Sequence, residues 1–329
     1  MPFVRLARSK FARMCSTLTG RSGRVYTRDR ILQAHPHKPE LNIYLAHCED
    51  RAFLLKPVSQ SILELSKELK DEFGDSPRLR TRLDDNEAER VLLYDYYKDN
   101  LLSLVKNRPD LPLGARKSIL RNLGLGLKDL HSRNWIHLDT KPDNAMIDWN
   151  VDENGRFIVE RVAWADLDCA LQLMGEQLLD HRIGNVMWRS PEGQTGKGIG
   201  KPSEVFSFGL ICLYTITGVE ALHPDFEQLK KDGVEPEQLI LYQLLSMFGP
   251  APPGLIAHVN DEYWGELSRV LSDVVAGEDP SIRFEQWDEG ILPNLNAQAK
   301  RVILKMTELD PIKRPTMSCI LGDPRWEET

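Results

Sequence analysis

The sequence lacks any apolar run long enough to cross a bilayer, which takes roughly 18 residues or more. Its longest apolar stretch, Phe206–Ile216, is interrupted by Ser207, Gly209 and Thr215 and predicts a buried helix. Hydrophobic residues make up 41% of the chain and charged residues 28%, the balance of an ordinary globular protein. We therefore expect a folded protein without a membrane span.

Cysteine is scarce and shows no pairing pattern. The five cysteines are scattered, odd in number and never spaced as C-x-x-C. This pattern argues against a disulfide framework and against a zinc site, and it suits a reducing compartment. We therefore expect a cytoplasmic or nuclear protein. Cys169 lies beside several acids, whose negative charge is expected to raise the pKa of its thiol.

Acidic residues are absent from the first 28 positions. That stretch carries seven basic residues, which leaves 35 basic and 49 acidic residues in the remainder, so the net charge of −7 hides a body of −14. Residues 1–27 are interpreted either as a mitochondrial targeting segment, which is typically Arg-rich and poor in acids, or as a basic arm that packs on the acidic body. The acidic body argues against nucleic acid as a partner.

The pattern of elements changes near Tyr96. Before it, short β-like runs separated by Pro, Asp and Asn turns surround one helix, and after it most segments have helical periodicity. The predicted strands are Arg30–Gln33, Asn42–His47, Arg51–Lys56, Leu79–Leu83 and Arg90–Tyr94, and the helix is Ser61–Phe73. The later predicted helices are Ala115–His131, Glu204–Thr217, Leu239–Phe248, Tyr263–Val275 and Ala297–Leu309. The layout predicts an α+β fold, with a small sheet domain over residues 28–96 and a larger, mostly helical domain over residues 97–329.

The segment H-L-D-T-K-P-D-N, at His137–Asn144, places a carboxylate, an ammonium group and a carboxamide in one Pro-bent loop. A helix would point these side chains apart, whereas a turn can bring them to one ligand. Their order matches the protein kinase loop H-R-D-L-x-x-x-N at every functional position except the Arg, so the chain resembles a eukaryotic-type protein kinase of bilobal fold. The resemblance implies that Asp139 accepts the proton of the substrate hydroxyl. It also implies that Lys141 steadies the transferring phosphate and that Asn144 binds Mg²⁺.

Four further motifs follow in the order of that family. They are D-L-D at Asp166–Asp168 for D-F-G, S-P-E at Ser190–Glu192 for A-P-E, E-V-F-S-F-G at Glu204–Gly209 in the core helix, and D-P-I-K-R-P-T at Asp310–Thr316. The resemblance implies that Asp166 holds Mg²⁺ together with Asn144, because both offer the hard oxygen ligands that this ion prefers. It also implies a buried ion pair between Glu192 and Arg314. The run around S-P-E further resembles kinase-like proteins of filamentous fungi.

The sheet region resembles the same family. The run F-L-L-K that ends at Lys56 is similar to V-A-I-K, which implies that Lys56 contacts the phosphates of ATP and pairs with an acid of the following helix. Glu64 and Glu68 are the candidates, and Glu64 is preferred because about two helical turns follow it. The segment Y-D-Y-Y resembles the hinge, which implies that the backbone at Asp95 and Tyr97 binds adenine.

Two features of the resembled family are missing. The turn at His35–Glu40, which stands where the phosphate-binding loop belongs, contains no glycine, and G-R-S-G at Gly20–Gly23 lies too far before Lys56 to replace it. Residues 167–189 contain no Ser, Thr or Tyr, and Leu138 replaces the Arg that grips a phosphate there, which makes the chain non-RD. We therefore expect that phosphorylation of residues 167–189 does not regulate the protein.

Three substitutions change the surroundings of the catalytic loop. Asp168 stands where the family has Gly, Glu204 stands where it has a loop-anchoring Asp and is one methylene longer, and Asn185 replaces a Thr that contacts the catalytic Asp. Residues 218–296 match no motif. They are expected to elaborate the helical domain and to recruit substrates or partners.

Three functions remain open from the sequence. The leading one is a monomeric Ser/Thr protein kinase that uses ATP and Mg²⁺ on protein substrates, because Lys141 two residues after Asp139 is the Ser/Thr pattern. A pseudokinase that serves as a scaffold is favoured by the glycine-free turn and by Asp168. A small-molecule phosphotransferase of the aminoglycoside type shares H-x-D-x-x-x-x-N and D-x-D, but it lacks the S-P-E, F-S-F-G and R-P-T elements.

Overall fold

The computed structural model describes residues 16–326. These residues divide into two units. The first unit holds the described residues up to Glu72 together with Thr81–Tyr96, and the second holds Phe73–Arg80 and the chain from Tyr97 onward. Within the described residues, no helix combines the length and the apolar character that crossing a membrane requires.

The first unit contains a six-stranded antiparallel sheet in the order β1-β2-β3-β4-β6-β5. Its strands are β1 Thr17–Thr19, β2 Val25–Gln33, β3 Ile43–Cys48, β4 Arg51–Pro57, β5 Asp84–Asn86 and β6 Val91–Asp95, and its helix is α1 Gln60–Phe73. One face of the sheet buries a cluster that includes Tyr26, Phe53 and Leu93. The opposite face buries Leu92 of β6 with Leu63 of α1. Alternation of side chains along each strand thus supplies a core on both faces.

Most of the predicted strands of this sheet are present within one or two residues of the expected bounds. The first begins earlier, at Val25, and a short strand precedes it, so the sheet starts before the predicted boundary at residue 28. Leu18 and Tyr26 explain the difference, because both are almost completely buried, whereas the residues directly before them, Thr17 and Val25, are exposed. Residues 1–15 lie outside the described residues, so the interpretation of the basic stretch as an arm or a targeting segment stays a prediction for that part.

The predicted strand Leu79–Leu83 is wrong. Leu79 forms a single bridge with Trp164 and belongs to the second unit, where it is buried. The strand that pairs with β6 on the side away from β4 is the acidic Asp84–Asn86 instead. Strand propensity failed here because burial and hydrogen bonding at Asp84 override the low preference of Asp for strands.

The G-R-S-G segment forms the turn between β1 and β2, where it surrounds the buried carboxylate of Asp84. The backbone N–H of Ser22 donates to Oδ1 of Asp84 at 3.1 Å, and the hydroxyl groups of Ser22 and Tyr26 donate to Oδ2 at 2.5 and 2.9 Å. A Cβ at Gly20 would lie 2.1 Å from this carboxylate, so only glycine fits that close approach. Burial and the neighbouring Asp84 raise the pKa of Tyr26. The segment therefore has a structural role in the first unit.

The second unit is mostly helical. Its helices are α2 Leu101–Asn107, α3 Leu113–Ser132, α4 Pro191–Thr195, α5 Lys201–Thr217, α6 Phe226–Asp232, α7 Pro236–Phe248, α8 Pro253–Val259, α9 Glu262–Ala276, α10 Ala297–Met306 and α11 Met317–Leu321. The predicted apolar helix corresponds to α5, which has Pro202 in its first turn, ends at Gly218 in the left-handed conformation and is buried over most of its length. The α+β class expected from the sequence is confirmed by this arrangement.

Two small sheets in the second unit position the loops that follow α3. They contain β7 Asp99–Asn100, β8 Trp135–Ile136, β9 Ala145–Val151, β10 Phe157–Trp164 and β11 Leu171–Gln172, paired in the orders β10-β9-β7 and β11-β8. The antiparallel register sets Ala145 opposite Trp164. The N–H of Ala165 then donates to the carbonyl of Asn144 at 2.8 Å. This pairing brings the end of the His137–Asn144 loop beside the residue that precedes Asp166.

Candidate active site

The loop of His137–Asn144 is anchored by the side chain of Glu204 on α5. Oε1 of Glu204 accepts hydrogen bonds from the backbone N–H groups of His137 at 2.6 Å and Leu138 at 2.7 Å. The hydroxyl of Thr140 donates to the same oxygen at 3.3 Å. Leu138 has a φ of 65°, in the left-handed region that is costly for a non-glycine residue. The bonds to Glu204 stabilise this strained turn, which places the residue after it.

The second oxygen of Glu204 is satisfied by a partner that the sequence reasoning missed. Oε2 of Glu204 lies 2.9 Å from Nε2 of His131, near the end of α3. Burial alone would raise the pKa of Glu204, but the bond to His131 and the loop N–H groups outweigh it, so the pKa lies below its ordinary value. The buried carboxylate is therefore held as an anion that organises the loop.

Asp139 is fixed by three neighbours and stays 13% exposed. Nζ of Lys141 lies 2.8 Å from its Oδ2, and Nδ2 of Asn144 donates to the same oxygen at 3.0 Å. The backbone N–H of Asn185 donates to Oδ1 at 3.0 Å. The substituted position at Asn185 thus contacts the carboxylate through its main chain rather than its side chain. The carboxylate is therefore oriented, with the ammonium group of Lys141 and the amide group of Asn144 both at Oδ2.

Gly184 permits this approach of the chain to the catalytic loop. Its φ is +82°, and a Cβ built on it would lie 2.2 Å from the carbonyl oxygen of Leu138 and 3.3 Å from Oδ1 of Asp139. Any side chain would push the turn away and break the bond from Asn185. The glycine before Asn185 was the one signal in the sequence that could have revealed this contact.

His137 joins the catalytic loop to the segment that carries Asp166. Its Nε2 lies 3.0 Å from the carbonyl oxygen of Ala165, and its Nδ1 accepts from the N–H of Asp139 at 3.3 Å. Asp166 itself has φ 58° and ψ 54°, again the left-handed region, and it is exposed. Strained non-glycine backbone on both segments is a feature of functional sites.

The donor set fits a magnesium ion bound with phosphate. Nδ2 of Asn144 makes both hydrogen bonds of that amide, to the carbonyl and to Oδ2 of Asp139, so its oxygen is the atom that can serve as a ligand. Asp166, which adds a carboxylate, directly follows Ala165, whose N–H bonds to the main chain of Asn144. No group of three or more His, Cys, Asp or Glu side chains within residues 16–326 could hold a metal ion. Two protein ligands completed by phosphate oxygens and water are what Mg²⁺ commonly accepts.

Cys169 lies in the electrostatic field of this site. The cysteine is free, and the pKa of its thiol is raised first by partial burial and then by Asp139, Asp166 and Asp168, with Lys141 opposing them. The direction agrees with the expectation from the sequence. A thiol with a raised pKa is a poor nucleophile, so the structure gives this cysteine no catalytic role.

Glu192 and Arg314, which the resemblance pairs, form a bidentate ion pair. Nη1 and Nη2 of Arg314 lie 2.5 and 2.8 Å from the two oxygens of Glu192, and both side chains are 0% exposed. Burial raises the pKa of Glu192, but the guanidinium lowers it by more, so the group is held below its ordinary pKa. Arg314 also lies over the ring of Phe206, 4.9 Å from its centroid. The pair ties α4 to the region before α11.

The residues predicted to bind ATP through the sheet region lie on β4, on α1 and at or after the end of β6. Lys56 is half-buried on β4, and Asp95 at the end of β6 is paired with Arg51 at 2.9 Å. Glu64 is exposed on α1, and its carboxylate accepts a hydrogen bond from Gln60 one turn earlier at 3.0 Å. Tyr97 is buried in the second unit beneath the guanidinium of Arg161. The pairing of Lys56 with Glu64 and the adenine contacts stay predictions.

Comparison with known proteins gives a consistent result. A family model described as protein kinase domain matches residues 78–325. Among solved structures, the crystal structure of the yeast RNA Pol II CTD kinase CTDK-1 complex contains a chain similar to this one, with a TM-score of 0.70 and 16% identity, covering 100% of this chain and 97% of that one. At that identity the likeness shows the fold alone.

Curated relatives match at low identity. The chain is 23% identical over 243 residues to the serine/threonine-protein kinase MAK of Rattus norvegicus, covering 71% of this chain and 33% of that protein. It is 31% identical over 148 residues to the dual specificity protein kinase shkA of Dictyostelium discoideum, with coverages of 43% and 26%. The meiosis induction protein kinase IME2/SME1 of Saccharomyces cerevisiae is 20% identical over 266 residues, with coverages of 75% and 40%. The chain thus spans between about a quarter and two fifths of the length of these relatives.

Proposed function

Since the chain belongs to the protein kinase domain family, we propose that it transfers the γ-phosphoryl group of ATP to Ser or Thr hydroxyl groups of protein substrates. The observation that carries the proposal is the fixed carboxylate of Asp139. Its two oxygens are held by Lys141, Asn144 and the N–H of Asn185, all within 3.0 Å. A carboxylate oriented in this way can accept the proton of an incoming hydroxyl.

Each loop residue then has a distinct role. Asp139 orients the substrate hydroxyl and takes its proton, and Lys141 places a positive charge beside the same carboxylate, where the transferring phosphoryl group becomes more negative. Positioning and charge stabilisation supply most of the catalysis in such transfers, and proton removal supplies less. The presence of Lys141 two residues after Asp139 supports Ser or Thr as the acceptor.

Asn144 and Asp166 are the residues that would hold magnesium. The ion would neutralise negative charge on the β- and γ-phosphates of ATP. The contribution of the chain itself is to fix these two oxygen ligands, through the bonds of Asn144 to Asp139 and the left-handed backbone of Asp166. The contact of Lys56 with the phosphates rests on the resemblance of its strand to V-A-I-K.

A pseudokinase is the second candidate, and one observation favours it. In the glycine-free turn, the N–H of His35 donates to Oδ1 of Asn42 at 2.7 Å, and the N–H groups of His37 and Lys38 donate to Nδ1 of His35 at 3.2 and 3.1 Å. A glycine-rich loop offers such N–H groups to phosphates. Because these are engaged within the turn, ATP must be bound through side chains there or be bound weakly. A small-molecule phosphotransferase remains the least favoured alternative.

Magnesium-dependent ATP turnover by the purified protein tests the proposal, run beside Asp166→Ala and Asp139→Asn. Asp232→Asn, which neutralises an exposed acid at the end of α6, is the matched control. An enzyme requires turnover that both site variants lose and the control keeps. Melting with and without Mg·ATP separates the remaining cases, since a pseudokinase that binds nucleotide gains stability without turnover. Absence of both turnover and stabilisation would refute ATP as the ligand.

A further inference from the structure

The stretch of residues 167–189 contains no hydroxyl group that could be phosphorylated, yet its last part is held firmly in place. Arg189 makes four of the hydrogen bonds that hold it. Its Nε donates to the carbonyl oxygens of Ile183 at 3.0 Å and Gly184 at 3.1 Å, and its Nη2 donates to Gly184 as well. The side chain of Arg189 thus binds the main chain of the Ile183–Gly184 turn, which lies shortly before it in the sequence.

The third guanidinium nitrogen of Arg189 connects this segment to α7. Its Nη1 lies 3.0 Å from Oε1 of Glu237, and the two side chains are only 15% and 14% exposed. Glu237 stands in the first turn of α7, within the stretch of residues 218–296 that matches no sequence motif. An ion pair that is this well shielded is screened much less by salt than a surface pair.

Glu237 also attracts a second arginine of the same segment. Nη1 of Arg182 lies 3.9 Å from Oε2 of Glu237, and the guanidinium of Arg182 stacks over the ring of Trp264 on α9. One carboxylate therefore serves two arginines that lie on either side of the Ile183–Gly184 turn. In kinases whose activation segment is phosphorylated, the phosphate group is the anion that binds arginines of this segment.

The turn that these arginines hold is the one that contacts Asp139. The residue after Gly184 donates its N–H to Oδ1 of Asp139 at 3.0 Å. Gly184 itself packs so closely on the catalytic loop that a Cβ would lie 2.2 Å from the carbonyl oxygen of Leu138. Displacement of the turn would therefore remove one of the three groups that orient Asp139.

We propose that Glu237 is a positioning residue, a built-in carboxylate that holds Arg189 and Arg182 and thereby keeps the Gly184–Asn185 turn against Asp139 without phosphorylation. The proposal rests on the proposed function for its catalytic consequence, whereas the positioning itself is a property of the second unit. Glu237 does not touch the reacting groups. It acts through Arg189 and the turn.

Glu237→Gln tests the proposal, with Glu235→Gln as the matched control. Glu235 is exposed at the N-cap of the same helix and makes no side-chain capping bond, so both variants remove one negative charge near the same helix terminus. Amide hydrogen exchange of residues 183–188 is the readout that needs no activity. We expect these amides to exchange about tenfold faster or more in Glu237→Gln than in Glu235→Gln, while exchange in α3 stays equal in the two variants. Equal exchange at 183–188, or acceleration throughout the second unit, would overturn the proposal.

The kinetic arm uses saturating ATP and peptide. We expect kcat of Glu237→Gln to fall by about 10-fold to 10²-fold relative to Glu235→Gln, because small displacements of a catalytic group have effects of that size, with the KM for ATP unchanged. A loss confined to KM would overturn the assigned role. If the unaltered protein has no turnover, the proposed function fails and the exchange measurement alone decides whether Glu237 holds the turn. Should Glu237→Gln not fold, Glu237→Asp against Glu235→Asp gives the same comparison, with faster exchange expected from the shorter side chain.

Discussion

Glu204 and His131 form a buried contact of 2.9 Å between Oε2 and Nε2 that joins α5 to α3 directly beneath the catalytic loop. The other oxygen of Glu204 is occupied by the loop N–H groups. Glu is one methylene longer than the Asp of the resembled pattern, yet every bond that the loop needs is made. The substitution therefore keeps the anchoring role and adds a connection between two helices.

Glu204→Gln should lower the free energy of unfolding by about 3 kcal/mol, because it removes the charge from several short hydrogen bonds in a buried site. The folded pKa of Glu204 lies below its ordinary value of 4.5, so the stabilisation is present above that pH and is lost as the pH falls through the lower folded pKa. Urea unfolding between pH 3 and 7 would show the difference from the parent shrinking in acid. Glu220→Gln is the control, because Glu220 is an exposed acid shortly after the end of α5. It should change the free energy of unfolding by less than about 0.5 kcal/mol. A pH-independent difference would contradict the assignment.

Gly184→Ala should reduce both stability and kcat. The new Cβ would collide with the carbonyl of Leu138 and displace the Asn185 N–H from Asp139. Gly175→Ala is the control, since Gly175 also has a positive φ, +64°, but has open space around it. The control should cost about 1 kcal/mol from backbone strain alone, with kcat unchanged. Equal behaviour of the two variants in unfolding and in turnover would mean that the close approach at Gly184 has no importance.

Arg314→Lys should destabilise the second unit by about 3 to 5 kcal/mol. Lysine keeps the charge but cannot reproduce the two parallel bonds to Glu192, so one carboxylate oxygen would lose its guanidinium donor in a fully buried site. Arg301→Lys tests the same chemistry at the surface, where Arg301 forms a bidentate pair with Asp323 while 47% exposed. That control should cost at most about 1 kcal/mol. Thermal or urea unfolding measures both, and a similar cost for the two variants would refute the importance of burial.

Treatment with a phosphatase should leave the activity of the protein unchanged. Residues 167–189 offer no acceptor hydroxyl, and their arginines are already paired with Glu237. Turnover is measured before and after treatment, and the phosphorylation state is followed by mass spectrometry. Loss of activity together with removal of a phosphate from the neighbouring Ser190 would show that the segment is regulated in the ordinary way.

The parts of the site that were predictable are those whose residues are close in sequence or carry a strong motif. Asp139, Lys141 and Asn144 occupy one loop of eight residues, so their convergence follows from the turn itself. The buried pair of Glu192 and Arg314 is separated by 122 positions, and it was foreseen only because motifs at both ends resemble one family. Helical periodicity placed α3, because burial of one face dictates its pattern, whereas α5 was placed by its apolar run, because it is buried over most of its length.

The contacts that were missed depend on partners distant in sequence and without a motif. Glu237 lies 48 positions after Arg189, on a helix whose residues suggest nothing about the site. Asp84 lies 62 positions after Ser22, so the glycine-rich turn could not be assigned to a buried carboxylate. Local preference also failed at Asp84–Asn86, where two acids form a strand because hydrogen bonds and neighbouring arginines compensate for their burial.

The short β1 strand has a consequence for how the protein behaves in concentrated solution. It pairs with Val25–Thr27, so within residues 16–326 only the beginning of β2, the strand beside it, is covered on that side. Farther along, β2 carries opposite charges at Asp29 and Arg30. Uncovered strands recruit strands of other molecules, and charged side chains at such an edge discourage this. A shortened chain that starts at Val25 would expose the apolar beginning of β2. We expect such a chain to aggregate before its catalytic activity is affected.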